Sequence, residues 1–563
     1  MSKKSGSVVR AKSGKVSHLQ RLSLGLPAVL AAAPGAHALQ LYDGSTHGNN
    51  VEINLNITTS YTGLYRVQQP SDILVSGSNN ANGNDGDANF RHGVVGNTFE
   101  ILPVLDIKDQ SFGMHFSGEY FVNTVYLQGN QNNQPGSVNP AVAKDTDFAS
   151  ETRKANGLNG RMLDAFVYDS WAFGNGQQFT LKAGQQTLFW GQSLFYGTNG
   201  IAGGQAPIDV VSASDLVNPQ TQQIFLPVGQ IVATYQPNSV YTIQGYYQYQ
   251  WEPYALNGVG SYFSTSDVTG PGGNRLIAAT FGGENFYLLK YGKDLTPETQ
   301  NGQFGLSLQA QYGNYDVGLF GLRYDSKTPE VYINAPSAAP TTPGGVGVGQ
   351  YKLVYPRDIW IYGTSLSTTI GATNVAGEAS IHTHMPLVGS SAAGTQTATD
   401  PGDANSNPLY PVGNTFTGLG SFIYGSPALR FDPGGITLLG EVEYVDVFRV
   451  TDNKALLQPG RSSGAASFDA EIEPAYFEVI PNLELQFPLQ LKYNFAGNSQ
   501  MDSTMNHGTG NWSVGVVATY RESWDASLSY VGYFGKPGTN PLDAEVASSP
   551  DRGYLALNLQ HTF

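Results

Sequence analysis

His382 and His384 stand two residues apart with Glu378 just upstream, the nearest thing to a metal-ligand set in this chain. On an extended strand, residues two apart share a face, so both imidazoles and the carboxylate would point the same way and could hold a transition metal. The pair ends an alternating stretch beside the long polar segment 387–411. Histidine there is ordinary wetted filler, so no metal is expected, and these three remain the weak candidate. Residues 79–89 (NNANGNDGDAN) imitate an acidic calcium loop through Asp85-Gly86-Asp87. They lack the fixed spacing and closing Glu of an EF-hand, and their composition suits a solvated loop. A nucleophile elbow is missing: Gly191-Gln192-Ser193-Leu194-Phe195 breaks the pattern at the second Gly. Neither a phosphate-binding loop nor H-E-x-x-H occurs. No catalytic residue and no cofactor are therefore expected.

A different chemistry is carried by Trp190, Phe195, Trp251 and Tyr254, which sit in or beside two long segments, 189–226 and 252–302, that mix apolar residues with Gly and polar residues. Grouped together, they would line a narrow, partly apolar path for a small molecule. The competing reading puts these aromatics at strand ends, anchored in a membrane interface; it is slightly favoured for Trp190.

The composition narrows what can position such groups. The 563 residues include no Cys, which excludes disulfides, thiolate zinc sites and Cys nucleophiles. Charged residues are 13% and the net charge is −15, against a basic nucleic-acid footprint. No apolar run reaches the roughly 18 residues of a membrane helix. Residues 1–38 read as a secretion signal: six basic residues, a short apolar core from Leu22 to Ala33, and Ala36-His37-Ala38 as the cleavage pattern. Without them the net charge is −21.

From residue 51 onward the pattern is alternation, the mark of strands with one wet and one apolar face. Val51, Ile53, Leu55 and Ile57 alternate with Glu52, Asn54 and Asn56, and Leu483, Leu485, Phe487, Leu489 and Leu491 alternate with Glu484, Gln486, Pro488 and Gln490. Short turns near 108–110, 174–177, 237–239, 313–314, 372–374, 432–435, 481–482 and 522–524 alternate strictly with long polar links. That predicts a transmembrane antiparallel β-barrel of about 18 strands over residues 39–563, sixteen if the soft boundaries shift, with short turns on one side and long external loops on the other. A barrel this wide is not filled by strand side chains, so one or both of the links near 189–226 and 252–302 are expected to fold into the lumen. The chain closes on Leu555, Leu557, Leu559, His561 and Phe563. A terminal Phe is the pattern read by the barrel-assembly machinery, with His561 where an apolar residue is usual.

Several segments resemble the proteobacterial outer-membrane proteins of domain-of-unknown-function family 1302: residues 181–193 (LKAGQQTLFWGQS), 207–211 (PIDVV), 247–254 (YQYQWEPY), 262–267 (YFSTSD), 323–329 (RYDSKTP), 355–363 (YPRDIWIYG), 377–387 (GEASIHTHMPL), 438–444 (LLGEVEY) and 529–535 (SYVGYFG). Gln185 stands where the family pattern has Arg, a departure expected to alter lumen charge. The resemblance implies an outer-membrane barrel of a Gram-negative bacterium, working with a periplasmic lipid-transfer-like protein and an inner-membrane efflux-type transporter. It supplies no active site. The favoured reading is a channel for hydrophobic or amphipathic small molecules, such as lipids, steroids or hydrocarbons, gated by inward-folded loops. A porin for polar solutes is the alternative, since lumen positions such as Gln309, Gln311, Glu484 and Gln490 look polar, mostly uncharged and without a basic ladder. An outer-membrane hydrolase using His115 or His382 with a neighbouring Ser ranks third. The expected surroundings are outer-membrane lipid and lipopolysaccharide, whose phosphates could share divalent cations with the acidic loops, and no nucleic acid.

Overall fold

A computed structural model describes residues 39–76, 80–133, 138–217, 219–297, 302–334, 347–397, 399–428, 434–540 and 546–563. The secretion signal assigned to residues 1–38 lies outside the described residues. The strands are β1 (Val51–Arg66), β2 (Gly93–Asp109), β3 (Phe112–Asn123), β4 (Leu158–Phe173), β5 (Gln177–Gln186), β6 (Val228–Gln236), β7 (Tyr241–Gln248), β8 (Gln303–Tyr312) and β9 (Tyr315–Tyr324). They continue as β10 (Ile359–Ile370), β11 (Thr373–Pro386), β12 (Val412–Gly425), β13 (Ile436–Asp452), β14 (Gly464–Ile480), β15 (Leu483–Gln486 with Leu489–Ala496), β16 (Gly510–Tyr520), β17 (Trp524–Phe534) and β18 (Tyr554–Thr562). Each pairs antiparallel with the next, and β18 returns to β1, Thr562 opposite Thr58 and Tyr554 opposite Arg66. The result is a closed 18-stranded barrel, eighteen and not sixteen. The short strand Leu39–Asp43 prolongs the sheet beyond the end of β18, pairing with the first residues of β1.

Closure removes the sheet edge, so that ladder N–H and C=O groups pair around the whole ring, which is what lets strands cross hydrocarbon. In β15, Pro488 interrupts the ladder because it has no N–H. The register is the same on both sides of the gap, Gln486 opposite Val517 and Leu489 opposite Val514.

The outward face has the banding of a membrane barrel. Beside the short turns, Trp171, Phe173, Tyr241, Tyr312, Tyr315 and Trp524 are exposed; towards the long links, Tyr65, Tyr120, Tyr247, Tyr362, Phe448 and Phe495 form a second ring. Between the rings lie exposed aliphatics such as Leu306, Leu319, Leu366, Val442, Leu528 and Leu557. His561 belongs to the first ring: it packs against Trp524 and Phe563, both at 4.2 Å between ring centroids. It takes an aromatic's place there, so its departure from the usual ending costs the girdle little.

Leu557, 49% exposed, sits midway along β18. Leu557→Arg should destabilise the barrel by about 2–4 kcal/mol, the range for a cation near the bilayer midplane. Urea unfolding in phospholipid vesicles measures it; a change under about 0.5 kcal/mol would mean that this face does not meet hydrocarbon.

Candidate functional site

The chain leaves β5 at Gln186 and re-enters the wall at β6, and between them it crosses the lumen. Gln186 and Gln230 close the exit, each side-chain amide donating to the other's main-chain carbonyl at 3.2 and 2.7 Å. Trp190 follows, its main-chain N–H donating to Gln205 Oε1 at 2.7 Å and its indole N–H to Gln244 Oε1 on β7, also at 2.7 Å. Beyond it the chain meets carboxylates from the far wall. Glu378 on β11 accepts the main-chain N–H of Gln192 (2.9 Å) and of Ile201 (2.7 Å). Glu441 on β13 accepts from Ser193 Oγ (3.1 Å) and from the main-chain N–H of Leu194, Phe195 and Tyr196 (3.1, 2.6 and 3.0 Å). The Tyr196 hydroxyl reaches Ser467 on β14 at 2.8 Å, with the Lys492 ammonium of β15 5.0 Å over its ring. Since β5 and β14 lie half the ring apart, the link spans the full bore.

Two glycines permit that approach. A side chain at Gly191 (φ +98) would collide with Glu378 Oε2, and one at Gly200 with Glu378 Oε1. The returning leg is tied to the near wall. Asp209 caps the helix Val210–Asp215 through Ser212 N–H and ion-pairs with Arg161 of β4, which also holds Glu119 of β3 at 2.8 Å. Gln223 bonds both Glu100 of β2 and Glu119.

The lumen wall is therefore more acidic than its polar, mostly uncharged pattern suggested. Glu378, Glu441, Glu443, Asp469, Glu471 and Glu473 all lie inward on β11, β13 and β14 and are buried. Glu378 and Glu441 hold the crossing link; the expectation of a mostly uncharged lumen does not hold along β11, β13 and β14, where these inward positions are acidic.

On the link's far side is a cavity of about 860 Å³. Its lining is mixed: Phe195, Tyr254, Met385, Met501 and Met505 supply apolar surface, and polar groups such as Asn199, Thr328 and Asn494 stand beside the charged Lys327, Glu330, Glu443, Lys492 and Asp502. Lys327, just beyond β9, is buried; its ammonium donates to the Gly204 carbonyl at 3.0 Å and lies 4.9 Å over the Tyr324 ring. Desolvation lowers its pKa to about 7, only partly offset by Asp325. Glu330, in the external loop strand Glu330–Asn334, is pushed up to about 7 by desolvation.

The four aromatics do not converge. Phe195 and Tyr254 share the cavity. Trp190 is buried among Val232, Tyr246, Phe320 and Ile361 on the inner wall; it is not in the interface ring, because the chain has already turned inward at its position. Trp251 belongs to an external cap, edge-on to Tyr355 at 4.9 Å and packed on Val268, Leu288 and Tyr351. That cap includes a four-stranded sheet built from Arg275–Phe281, Glu284–Lys290, Glu330–Asn334 and Gly347–Val354. The link 249–302 thus lies mostly over the mouth; it joins the crossing link through the Asp209–Ala255 bridge.

The metal candidate dissolves. The register slips between His382 and Met385, and His384 adopts φ 61. This bulge leaves His384 exposed while His382 is buried inside, and Glu378 is engaged with the link. Among the described residues no group of three or more His, Cys, Asp or Glu gathers to hold a metal. His382 Nε2 lies 3.0 Å from Ser380 Oγ, but its Nδ1 has no partner, so the pair lacks the orienting group of a triad. His115 pairs instead with Asp106 at 2.8 Å. Gln185 faces outward opposite Ala165 and donates to the Met162 carbonyl at 3.2 Å; its departure does not touch the lumen.

The chain belongs to the family described as a protein of unknown function (DUF1302), whose model matches residues 20–563. A comparison with curated proteins finds no match. Among solved structures, a BenF-like porin from Pseudomonas fluorescens Pf-5 superposes with a TM-score of 0.41 at 9% identity, over 91% of this chain and 98% of that one. OccD3 (OpdP) of Pseudomonas aeruginosa gives 0.41 at 11%, over 96% of each chain. OccAB1 of Acinetobacter baumannii gives 0.42 at 8%, over 94% of this chain and 99% of that one. Superpositions this loose transfer neither a site nor a cargo.

Glu441→Ala would leave the N–H groups of Leu194 and Phe195 without an acceptor, and that of Tyr196 with Ser193 Oγ alone at 3.0 Å, at about 1–3 kcal/mol for each orphaned group that water does not reach. Amide exchange at 194–196 should accelerate by roughly 100-fold, about 2.7 kcal/mol, while β13 and β14 stay protected. Unchanged exchange there would show that the carboxylate does not hold the link.

Proposed function

We propose that this DUF1302 member is an outer-membrane channel for amphipathic small molecules, closed at rest by the link between β5 and β6. The observation that carries this reading is the link's path across the bore, which leaves on its outer side a cavity whose wall mixes apolar side chains, three methionines among them, with polar and charged groups in similar measure. A cavity of about 860 Å³ lies within the range that takes a drug-sized molecule. Met side chains adapt to varied apolar shapes. The edge-free barrel and its two aromatic rings support the outer-membrane location. Passage requires the link to release Glu441 and Glu378, so transport is gated and passive.

Planar-bilayer conductance of the refolded barrel tests this. The intact protein should show little steady current, and removal of residues 192–204 should produce large open steps. Large steady conductance in the intact chain would overturn the gated reading in favour of an open pore for polar solutes.

The cavity charge supplies a second expectation. Above pH 7, Lys327 is mostly neutral and Glu330 mostly ionised; below it, Lys327 is charged and Glu330 neutral. The pocket thus becomes more positive as pH falls from 8 to 6. An arylsulfonate dye, whose own charge stays fixed, should bind roughly tenfold tighter at pH 6 than at pH 8. Lys327→Met should flatten that dependence in a fluorescence titration. Equal affinity at both pH values would remove Lys327 from the binding site.

A further inference from the structure

The segment that the sequence presents as a solvated acidic loop is buried. Asn84, Asp85 and Asp87 are inaccessible and Asn89 is buried, and Asp85–Ala88 forms a single helical turn packed under the external cap. Asp87 is fully engaged: Arg66 and Arg552 both ion-pair with it at 2.9 Å. Asp85 has no such partner. It faces Asp267 of the link 249–302, whose Oδ2 accepts the Asp85 main-chain N–H at 3.3 Å. Asp85 Oδ2 in turn accepts the Asn139 main-chain N–H at 3.1 Å.

Four oxygens in this group accept nothing. Asp85 Oδ1, Asp267 Oδ1, Asn84 Oδ1 and Asn139 Oδ1 are buried without a hydrogen-bond partner, and the four residues are between 0 and 1% exposed. Turning the amides over does not cure this. The Asn84 NH₂ is held by the Val75 carbonyl at 3.1 Å. The Asn139 NH₂ is held by Asn82 Oδ1 at 2.7 Å, and Asn82 is itself fixed by donating to the Ile277 carbonyl and accepting its N–H. Each amide must therefore present oxygen, not nitrogen, at its free end. The nearby cations are committed elsewhere. Arg552 spans Asp87 and the carbonyls of Tyr262 and Ser264. Arg275 donates to the carbonyls of Val138, Asn139 and Pro140. Asp145 adds a further negative charge in the neighbourhood.

Buried carboxylates are paired or bind a metal. A set of acceptor-only oxygens, two from carboxylates and two from amides, with no nitrogen or sulfur, matches a hard cation. We propose that Asp85 and Asp267, with the side-chain oxygens of Asn84 and Asn139, form a calcium site that clamps three external links together over the mouth of the barrel. Calcium fits better than magnesium because it accepts irregular oxygen geometry and gives up its water readily. The links joined are 67–92 through Asn84 and Asp85, 124–157 through Asn139, and 249–302 through Asp267. The clamp closes a layer above the crossing link and holds whatever the channel carries.

The test uses the full barrel refolded in detergent free of lipopolysaccharide, whose phosphates also bind divalent ions, and stripped with EDTA. Calorimetric titration with calcium chloride should show one site per chain, with magnesium chloride binding more weakly. Asp267→Asn and Asp85→Asn should each weaken calcium binding at least tenfold, with the heat-modifiable gel shift of a folded barrel retained. Calcium should also slow proteolysis within 249–302 in the wild type and not in the variants. The proposal is overturned by a wild type that binds no calcium, or by variants that bind it unchanged. It is equally overturned if calcium leaves the wild type indifferent while Asp267→Asn raises its melting temperature, which would mean that the two carboxyls share a proton.

Discussion

The link's path across the lumen depends on a carboxylate being solvated by a backbone. Glu441 lies on the inner wall of β13, where water is displaced by the link, and a charge there is tolerable only with donors aimed at it. Three consecutive main-chain N–H groups and the Ser193 hydroxyl supply them. The dependence is mutual. Residues 193–196 form no helix or strand, so their N–H groups have no ladder to join, and those of Leu194 and Phe195 would otherwise be unpaired inside the barrel. Glu378 repeats the arrangement at Gln192 and Ile201. Around these two carboxylates the rest falls into place: the glycines that let them approach, the cluster of Leu194, Phe195 and Tyr196 on Leu419 and Leu439, and the cavity beyond.

Segments remote in sequence meet at these two carboxylates. The motif FWGQS supplies the turn at 189–193, GEAS supplies Glu378, and LLGEVEY supplies Glu441. Gly191 is needed because Glu378 stands where its side chain would be. PIDVV brings Asp209 to Arg161, fixing the returning leg. Asp267 of YFSTSD meets the helix at Asp85 instead, in the cap. The lumen and the mouth are thus two layers, tied to different strands and joined where Ala255 bridges to Asp209.

How much of this was legible follows from what each feature depends on. Strands and their number were open to reading because a barrel imposes period two and alternating connection lengths, and both are properties of side-chain type alone. The crossing link was legible only as apolar residues too numerous for a wet loop. Its contacts were not, because the partners of Glu441 are main-chain groups that any residue offers. Trp190 was misplaced for a related reason: strand-end position favours an interface, but the chain bends inward after Gln186, and the local pattern does not show the bend. His384 failed through a bulge that shifts the face by one residue, and period-two reasoning is blind to that. The buried turn at Asp85 looked solvated because its polar partners come from three separate links.

In the proposed gated channel, opening requires the link to leave both carboxylates. Six hydrogen bonds tie residues 192–201 to Glu378 and Glu441. Water entering the bore would replace most of them, so each counts as a net difference of about 0.5–1.5 kcal/mol, not as its full strength. Together with the apolar contacts of Leu194 and Phe195, that puts the open arrangement several kcal/mol above the closed one. A gap near 5.5 kcal/mol corresponds to about one open barrel in 10⁴. Thermal opening at that level carries little leak, and a cargo can raise it only by binding the open arrangement better than the closed one. On the proposed reading, a molecule lodged in the cavity against Phe195 would do so, since moving Phe195 withdraws the N–H that makes the shortest of the bonds to Glu441. In the proposed channel the gate and the binding surface would then share a residue.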